Sequence, residues 1–395
     1  MARTGLDEET RALIVLSLVP GVGSTMMTKL LAHFGSARAC LSASERALQE
    51  AGLPARVVVG VLDARREGLD PTEEASLRDP ELAFLRLDDP DYPRLLREIY
   101  DPPPLLYLKG TLRAEDDLAV TIVGTRKADP KAVDRAYAIA RGLAGAGVTV
   151  VSGFAYGIDE AAHRGALDGG GRTLAVLACG LAHLYPNHPE LAARIQGSGA
   201  LLSELPMGVA AMPRNFPRRS RLLSGLSLIT IIAQAPLRSG ALHTARHALE
   251  QGREVFVVPG EGPGYAGSTR LIEDGAMPVT SAEEVLDALD RLPRPRDWRA
   301  AARPVPRKPR RAPTPDDDGL AAEAPVEEAT APALSGDEAL VWEALSDEPT
   351  HIDALAQMTG LPVARLGSSL LLLEMKSLVR QFPGKRFAKK GDRIG

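Results

Sequence analysis

The stretch Leu118-Ala119-Val120-Thr121-Ile122-Val123 is an apolar run that ends at Gly124-Thr125-Arg126. A wholly apolar run of this length, closed by a glycine, is typical of a buried strand in a parallel sheet. A second run, Val148 to Val151, ends similarly at Ser152-Gly153-Phe154-Ala155-Tyr156-Gly157-Ile158-Asp159. Such turns open a helix and expose N–H groups where an anion is favoured. Arginine beside them points to phosphate, either of a small nucleotide or of a nucleic acid.

Strand and helix patterns alternate around these two turns, from residue 80 to 290. Short apolar strands alternating with helices favour a parallel sheet covered on both faces, with ligands at the carboxyl ends of its strands. The expected fold class is therefore α/β with a Rossmann-like core. Strands are predicted at 82–87, 118–123, 148–151, 173–178, 201–203, 227–233 and 254–258, and helices include 131–146, 159–167 and 241–251.

A third segment, Phe216-Pro217-Arg218-Arg219-Ser220-Arg221, is strongly basic. Arginines and backbone amides suit phosphates, while an aromatic ring lets an unstacked base stack without regard to sequence. Phe154 and Tyr156 provide such rings beside a glycine turn, although packing of either ring under the turn is the alternative. Asp159 is expected to cap the helix after Gly157, or else to orient an arginine. His163, four residues later, is expected to pair structurally.

Residues 1–75 have a helical pattern, broken at Pro20-Gly21-Val22-Gly23-Ser24. This break resembles the hairpin of a helix-hairpin-helix motif, whose amides hold a DNA phosphate without reading sequence. The alternative is a plain glycine-bearing turn between packed helices.

The chain after residue 290 changes character twice. Residues 293–334 contain nine prolines and separate basic and acidic blocks, which predicts a disordered charged linker. Residues 335–395 show three helices and a small hairpin, the pattern of a winged-helix domain. The third helix, 362–376, carries one arginine and many leucines near its start, so a structural or protein-contact role is favoured over base reading.

Composition sets limits on the class of protein. The formal net charge of −4 gives no general attraction to polyanions, so a nucleic-acid site must be a local patch. Cys40 and Cys179 are far apart and outside any metal-ligand spacing. His243 and His247 lack an evident third ligand, so no metal or other cofactor is expected. The sequence shows neither a signal-peptide pattern nor an apolar run of about 18 residues, so a cytoplasmic protein without a membrane span is expected.

Several motifs in order resemble the DNA-processing protein A family (DprA/Smf), over roughly residues 80 to 280. The flanking helical and winged-helix patterns agree with the same family. The motifs are Ile122-Val123-Gly124-Thr125-Arg126-Lys127, residues 151–159, Ala161-Ala162-His163, residues 173–180 with Tyr185-Pro186, Leu202-Ser203-Glu204, residues 216–221, Ser239-Gly240-Ala241-Leu242 with Thr244-Ala245, and Val258-Pro259-Gly260.

The resemblance implies a homodimer that binds single-stranded DNA along the Rossmann domain and loads the RecA recombinase. Three positions depart from the family pattern: Tyr156 stands in place of an arginine, Ser220 of an asparagine and Gln234 of a glutamate. The DNA-binding residues implied by the resemblance and the turns are Gly124, Thr125, Arg126, Lys127, Ser152, Gly153, Phe154, Ala155, Tyr156, Arg218, Arg219, Arg221, Ser239 and Gly240.

Two other classes of function remain as alternatives. A nucleotide phosphoribohydrolase needs a Pro-Gly-Gly-x-Gly-Thr loop, but residues 259–264 read Pro-Gly-Glu-Gly-Pro-Gly. A transcription regulator would read duplex DNA through the winged helix. A non-enzymatic protein that binds single-stranded DNA is favoured over both, with duplex DNA and a single-strand-binding protein as further candidate partners.

Overall fold

The structure is a computed structural model that describes residues 6–292, 336–346, 350–361, 365–366, 369–370, 373, 378–382 and 386–389. The chain divides into two compact units, Met1–Pro309 and Arg310–Gly395. The predicted linker 293–334 lies outside the described residues. The predicted boundary between residues 75 and 80 stays a prediction, since both sides belong to the first unit. In the described part of the chain, no helix is long and apolar enough to cross a membrane.

Six helices begin the first unit. Polar side chains start several of them by accepting from free backbone amides: Asp7 accepts from Thr10 N–H at 2.7 Å, and Ser36 from Ala39 N–H at 3.0 Å. The turn at residues 20–24 separates the first two helices, as predicted. The helices are α1 Glu8–Leu18, α2 Ser24–Phe34, α3 Ala37–Ser42, α4 Glu45–Glu50, α5 Ala55–Glu67 and α6 Pro71–Ser76.

Nine strands then form one sheet. They are β1 Leu82–Arg86, β2 Leu105–Gly110, β3 Ala119–Val123, β4 Thr149–Ser152, β5 Thr173–Val176, β6 Ala200–Ser203, β7 Ile229–Ile232, β8 Glu254–Val257 and β9 Met277–Pro278. Their order in space is β1-β2-β6-β5-β4-β3-β7-β8-β9. The seven strands β3–β9 are parallel to their neighbours in this set, whereas β2 pairs antiparallel with both β1 and β6.

Helices cover both faces of the sheet, so the predicted α/β class with a Rossmann-like core is confirmed. Neighbouring strand residues point to opposite faces: Val120 and Ile122 pack with the helices Pro130–Gly145 and Ile158–Asp168, and Ala119 and Val123 pack with Asn215–Gly225 and Ala241–Glu250. The helices are α7 Arg94–Arg97, α8 Pro130–Gly145, α9 Ile158–Asp168, α10 Pro189–Ser198, α11 Asn215–Gly225, α12 Ala241–Glu250, α13 Ala266–Glu273 and α14 Ala282–Arg291.

The strand order reverses at β3. From β3 the chain builds outward through β4, β5 and β6, and it then returns to place β7 on the other side of β3. Ligands of doubly wound sheets bind beside such a reversal, at the carboxyl ends of the strands. We call this side of the sheet the carboxyl edge, meaning the loops that follow β3, β4, β5 and β7.

The expectation of a parallel sheet is wrong at one end. The strands β2 and β9 are absent from the predicted set, and β2 makes the β1 end of the sheet antiparallel. The start of β2 is not evident from the sequence pattern, because it directly follows Pro102, Pro103 and Pro104. Only two residues form β9, which is too short to give a period.

The second unit contains α15 Asp337–Ala344, β10 Thr350–His351, α16 Ile352–Thr359, β11 Val379–Phe382 and β12 Arg386–Lys389. Its strands form a three-stranded sheet in the order β10-β12-β11. Most of the predicted third helix 362–376 and the turn Pro383-Gly384 lie outside the described residues. Within that helix, residues 365–366, 369–370 and 373 are helical, and Leu366, Leu370 and Leu373 are buried in the core of this unit.

Candidate nucleic-acid interface

The loops after β3, β4 and β7 are bonded to one another at the carboxyl edge. The Thr125 N–H donates to the Gln234 carbonyl at 2.8 Å, and the Ile158 N–H donates to the Thr125 carbonyl at 3.5 Å. A side chain at Gly124 would place its Cβ 2.5 Å from Ile158 Cγ1. The glycine that the sequence marks as an anion turn is therefore required for close packing of this edge.

Arg126 is exposed at the end of β3, as its predicted role requires. Its guanidinium carbon lies 4.4 Å from the centroid of the Phe216 ring, a cation–π contact. Lys127 is exposed beside it. The arrangement presents positive charge next to an aromatic face, which are the two elements that a single strand of nucleic acid requires.

Further rings extend this surface. The Tyr185 ring lies edge-on to Phe216 at 6.4 Å, and His188 lies edge-on to Tyr156 at 5.0 Å. The Tyr156 side chain is 48% exposed. Phe216, Tyr185 and His188 are absent from the predicted site residues. Phe216 and Tyr185 had a sequence signal, since each lies in a motif quoted for the family resemblance.

The predicted contact of the Phe154 ring with DNA is not supported by its position. The ring is only 1% exposed and packs beside His163 and His188, at centroid distances of 6.3 and 6.5 Å. Its backbone has φ +61°, a left-handed conformation that costs a residue with a side chain about 1–2 kcal/mol. This conformation turns the ring inward, which matches the core-packing alternative.

Arg219 is buried rather than free to meet a ligand. It is 7% exposed, and its Nη1 donates to the Gly153 carbonyl at 2.5 Å and to the Val176 carbonyl at 2.8 Å. Burial lowers the pKa of the guanidinium, although Asp159 partly opposes the shift. Any side chain at Gly153 would overlap Arg219. Arg219 is thus buried under the β4 turn and holds its backbone in place.

Arg221 is also buried, at 5% exposure. Its Nε donates to Asp101 at 2.7 Å and its Nη2 donates to Glu204 at 2.6 Å. These two carboxylates outweigh desolvation and raise the pKa of Arg221. Its position does not support the predicted role in DNA binding, because its buried guanidinium is already bonded to Asp101, Glu204 and the Arg218 carbonyl.

The remaining predicted residues divide between scaffold and surface. The Ser152 hydroxyl is buried and donates to the Ile122 carbonyl at 2.7 Å, so it holds β4 against β3. Ala155 is half-buried. The Ser239 hydroxyl accepts from Ala241 N–H at 3.3 Å, and Gly240, exposed, begins α12. These last two residues follow β7 and lie at the carboxyl edge.

Five cations in the loops after β3 and β7 and at the start of α11 lack an acidic partner. Among the described residues, none of the five has a carboxylate within 4.0 Å of its side-chain nitrogens, whereas many other arginines of the first unit are paired. Arg214 and Arg238 are absent from the predicted site, although each lies within two residues of a predicted residue or motif. The five are Arg126, Lys127, Arg214, Arg218 and Arg238.

Asp159 and His163 do not form the pair that their spacing suggests. Gly157 caps α9, and Asp159 instead accepts weakly from Ala155 N–H at 3.4 Å. The His163 Nδ1 bonds to the Thr173 hydroxyl at 2.7 Å, and burial lowers the pKa of His163 to about 3. A neutral, fully buried imidazole suits a structural role.

Gln234, one of the departures from the family pattern, has a structural role. Its side-chain Nε2 donates to Asp129 Oδ2 at 2.6 Å, and its side-chain Oε1 accepts from the Asp129 backbone N–H at 3.0 Å. Asp129 caps α8 by accepting from Ala132 N–H at 2.9 Å. Gln234 therefore fixes the start of α8 to the end of β7.

The chain is similar in sequence and in structure to known DNA-processing proteins. Residues 83–290 match the family model described as DNA recombination-mediator protein A, and residues 325–385 match the DprA winged helix domain. The chain is 34% identical to Protein Smf of Synechocystis over 95% of this chain and 97% of that protein. It is 40% identical to DNA processing protein DprA of Streptococcus pneumoniae over 52% of this chain and 73% of that protein. The X-ray structure of DNA processing protein A from Streptococcus pneumoniae aligns with a TM-score of 0.62 at 30% identity, covering 71% of this chain and 98% of that one.

Proposed function

Because the chain belongs to the DNA recombination-mediator protein A family, we propose that it acts in DNA processing during transformation and recombination. In this proposal it is not an enzyme. It binds single-stranded DNA at the carboxyl edge of the sheet, protects the incoming strand and loads the RecA recombinase onto it. The family resemblance further predicts a homodimer.

The observation that carries the proposal is the Arg126–Phe216 pair. A guanidinium 4.4 Å from a ring centroid places a positive charge against an aromatic ring, and the guanidinium plane itself can stack on a base. Tyr185 and Tyr156 extend the aromatic part, and the five cations without a carboxylate partner among the described residues lie in the loops after β3 and β7 and at the start of α11. The chain as a whole has a formal net charge of −4, so this positively charged patch differs in sign from the rest of the chain.

The surface suits a single strand better than a duplex. Stacking on Phe216 or Tyr156 requires an unpaired base whose face is free, and every base has such a face. The arginines would contact phosphates, which carry no sequence information. Binding is therefore expected to depend on salt and to tolerate any sequence, with a log–log slope of roughly −2 to −4 for three to six phosphates.

The first test is fluorescence anisotropy of a labelled oligonucleotide, single-stranded and then duplex, over a salt series. We expect Arg126→Ala to weaken single-strand binding for all sequences alike and to reduce the salt slope by about 0.7–1. Arg56, exposed in α5 and without an acidic partner among the described residues, is the matched control. Negligible single-strand binding by the wild type, or an unchanged slope in Arg126→Ala, would refute the proposed site.

RecA loading has a separate test. The rate of RecA filament growth on DNA already covered by single-strand-binding protein is measured with and without this protein. Acceleration by the wild type, reduced in Arg126→Ala, is the expected result. No acceleration by a wild type that binds the strand would remove RecA loading and leave DNA binding intact.

A further inference from the structure

A cavity of about 80 Å³ lies between the 20–24 hairpin and the first turn of α11. Its walls are largely apolar, with contributions from Met27, Leu205 and Pro206, and the exposed Arg218 also lines it. The Nη2 atom of Arg218 lies 3.7 Å from the position that a Cβ on Gly23 would occupy. The hairpin and the start of α11 are far apart in sequence, and each is suited to bind a phosphate. They therefore meet at this cavity.

The hairpin contributes the start of α2. The first N–H groups of a helix have no acceptor within the helix and carry a partial positive charge. Gly23 caps α2 without a side chain, and the first turn contains no acidic residue. The first amides of α2 are therefore free of a side-chain acceptor. They are available to an anion in the cavity.

The cavity also contains an unpartnered buried hydroxyl. Tyr107, on β2, is 1% exposed and lines the cavity, and its oxygen has no partner at hydrogen-bond geometry, although the Ser17 hydroxyl is close enough to lower its pKa. The hydroxyl of Ser17, which also lines the cavity, donates to the Ile14 carbonyl at 2.7 Å instead. Burial raises the pKa of Tyr107 well above its usual value, so the phenol remains a donor. A buried donor without an acceptor is costly unless a ligand supplies one.

The charges around the cavity are compatible with an anion. Glu204 also lines it, but its carboxylate accepts from Arg221 at 2.6 Å, a cation that it shares with Asp101. Arg218 has no carboxylate within 4.0 Å among the described residues. Its charge therefore remains available.

Helix α11 links this cavity to the carboxyl edge. Phe216 and Arg218 are two positions apart, so their side chains leave the helix about 200° apart around its axis. Phe216 faces Arg126, while Arg218 faces the hairpin. A strand that crosses the first turn of α11 would meet both sides within about one helix diameter, roughly 10 Å.

We propose that the cavity is a second phosphate site, in which Arg218, the start of α2 and the Tyr107 hydroxyl bind a phosphodiester group of the strand that stacks on Phe216. This inference rests on the proposed function, because it extends the path of the same DNA strand. In this proposal the 20–24 hairpin contacts the bound single strand. The alternative, a plain turn between packed helices, would bind no ligand.

The first test measures binding of an oligothymidylate of about 16 nucleotides, the upper range of single-strand site sizes, over a salt series. We expect Arg218→Ala to weaken binding severalfold and to reduce the salt slope by about 0.7, one phosphate contact, while Arg56→Ala changes neither. If Arg126→Ala weakens binding but Arg218→Ala behaves like Arg56→Ala, the cavity site is refuted and the proposed function stands. If the wild type does not bind the strand, both are refuted.

Two further variants separate ligand binding from folding. Thr25 is exposed in the first turn of α2, so Thr25→Glu should favour the helix while repelling a phosphate. Tyr107→Phe removes only the hydroxyl and should not lower the melting temperature. Severalfold weaker binding by both variants, with unchanged melting temperatures, is the expected result. Wild-type affinity in both would overturn the site.

Discussion

At the scale of single residues, the basic run 216–221 separates into different roles. Arg218 is exposed, whereas Arg219 and Arg221 are buried and hold the protein's own carbonyls and carboxylates. A buried guanidinium that is already bonded to internal groups cannot also reach a phosphate without breaking those bonds. The surface available to DNA therefore contains fewer arginines than the sequence suggests, and it gains aromatic area from Phe216 and Tyr185.

Phe216→Leu tests the stacking role of its ring. The variant keeps an apolar side chain but loses the flat face, so single-strand affinity should fall by about 1–3 kcal/mol, the value of one stacked base. The salt slope should not change, because no phosphate contact is removed. The same anisotropy series measures both quantities. A reduced slope with little loss of affinity would contradict a stacking role.

Arg221→Met tests the buried ion pairs. The variant leaves Asp101 and Glu204 without their partner, and breaking a buried pair in this way costs about 3–5 kcal/mol. The free energy of unfolding in urea gives the value. Arg218→Ala is the control and should lie within about 0.5 kcal/mol of the wild type, because its side chain is exposed. Equal stability of the two variants would show that Arg221 is not held as described.

At the scale of elements, β5 and α9 are joined by a chain of hydrogen bonds beneath the β4 turn. The His163 Nδ1 bonds to the Thr173 hydroxyl, which donates to the Val150 carbonyl at 2.8 Å. This chain of bonds fixes the middle of α9, which follows the turn that carries Tyr156, to β4 and β5. Acid should weaken it, because a charged imidazole would be buried.

The pH dependence follows from the pKa of His163, which is about 3 in the folded protein against about 6.5 in an unfolded chain. Below pH 6.5 the unfolded state takes up a proton that the folded state does not, so stability is lost as the pH falls. The loss is about 1.4 kcal/mol per pH unit, or about 2 kcal/mol between pH 6.5 and 5. Urea unfolding at both values should show this loss in the wild type and a smaller one in His163→Gln. Equal losses would exclude His163 as its source.

At the scale of the whole molecule, every residue of the proposed interface lies before residue 292, in the first compact unit. The described leucines of the predicted third helix of the second unit, Leu366, Leu370 and Leu373, are buried in that unit's own core. The second unit is therefore not required by the geometry of strand binding.

A fragment of residues 1–292 should keep the dissociation constant for single-stranded DNA within about tenfold of the full chain, or about 1.4 kcal/mol. Anisotropy on both proteins at one salt concentration gives the comparison. The Arg126→Ala version of the fragment serves as the control that binding uses the same site. Loss of all binding by a folded fragment would place the main site in the second unit or the linker.

The sequence by itself determined the alternation of strands and helices and the glycine turns after β3 and β4. These features are local: an apolar run, its period and a glycine at its end define each element. The same local patterns predicted the exposed Arg126, because a charge directly after a buried strand lies at the edge of the sheet. The local pattern could not predict β2, which makes the β1 end antiparallel, because the prolines before it hide its start.

Only the tertiary structure decided which arginine of 218, 219 and 221 reaches solvent. Each depends on partners distant in sequence: Val176 and Gly153 for Arg219, and Asp101 and Glu204 for Arg221. The inward Phe154 ring and the meeting of Arg218 with the hairpin were decided in the same way. Whether a charge or a ring is buried depends on which distant parts of the chain pack against it. A local sequence pattern does not include those contacts.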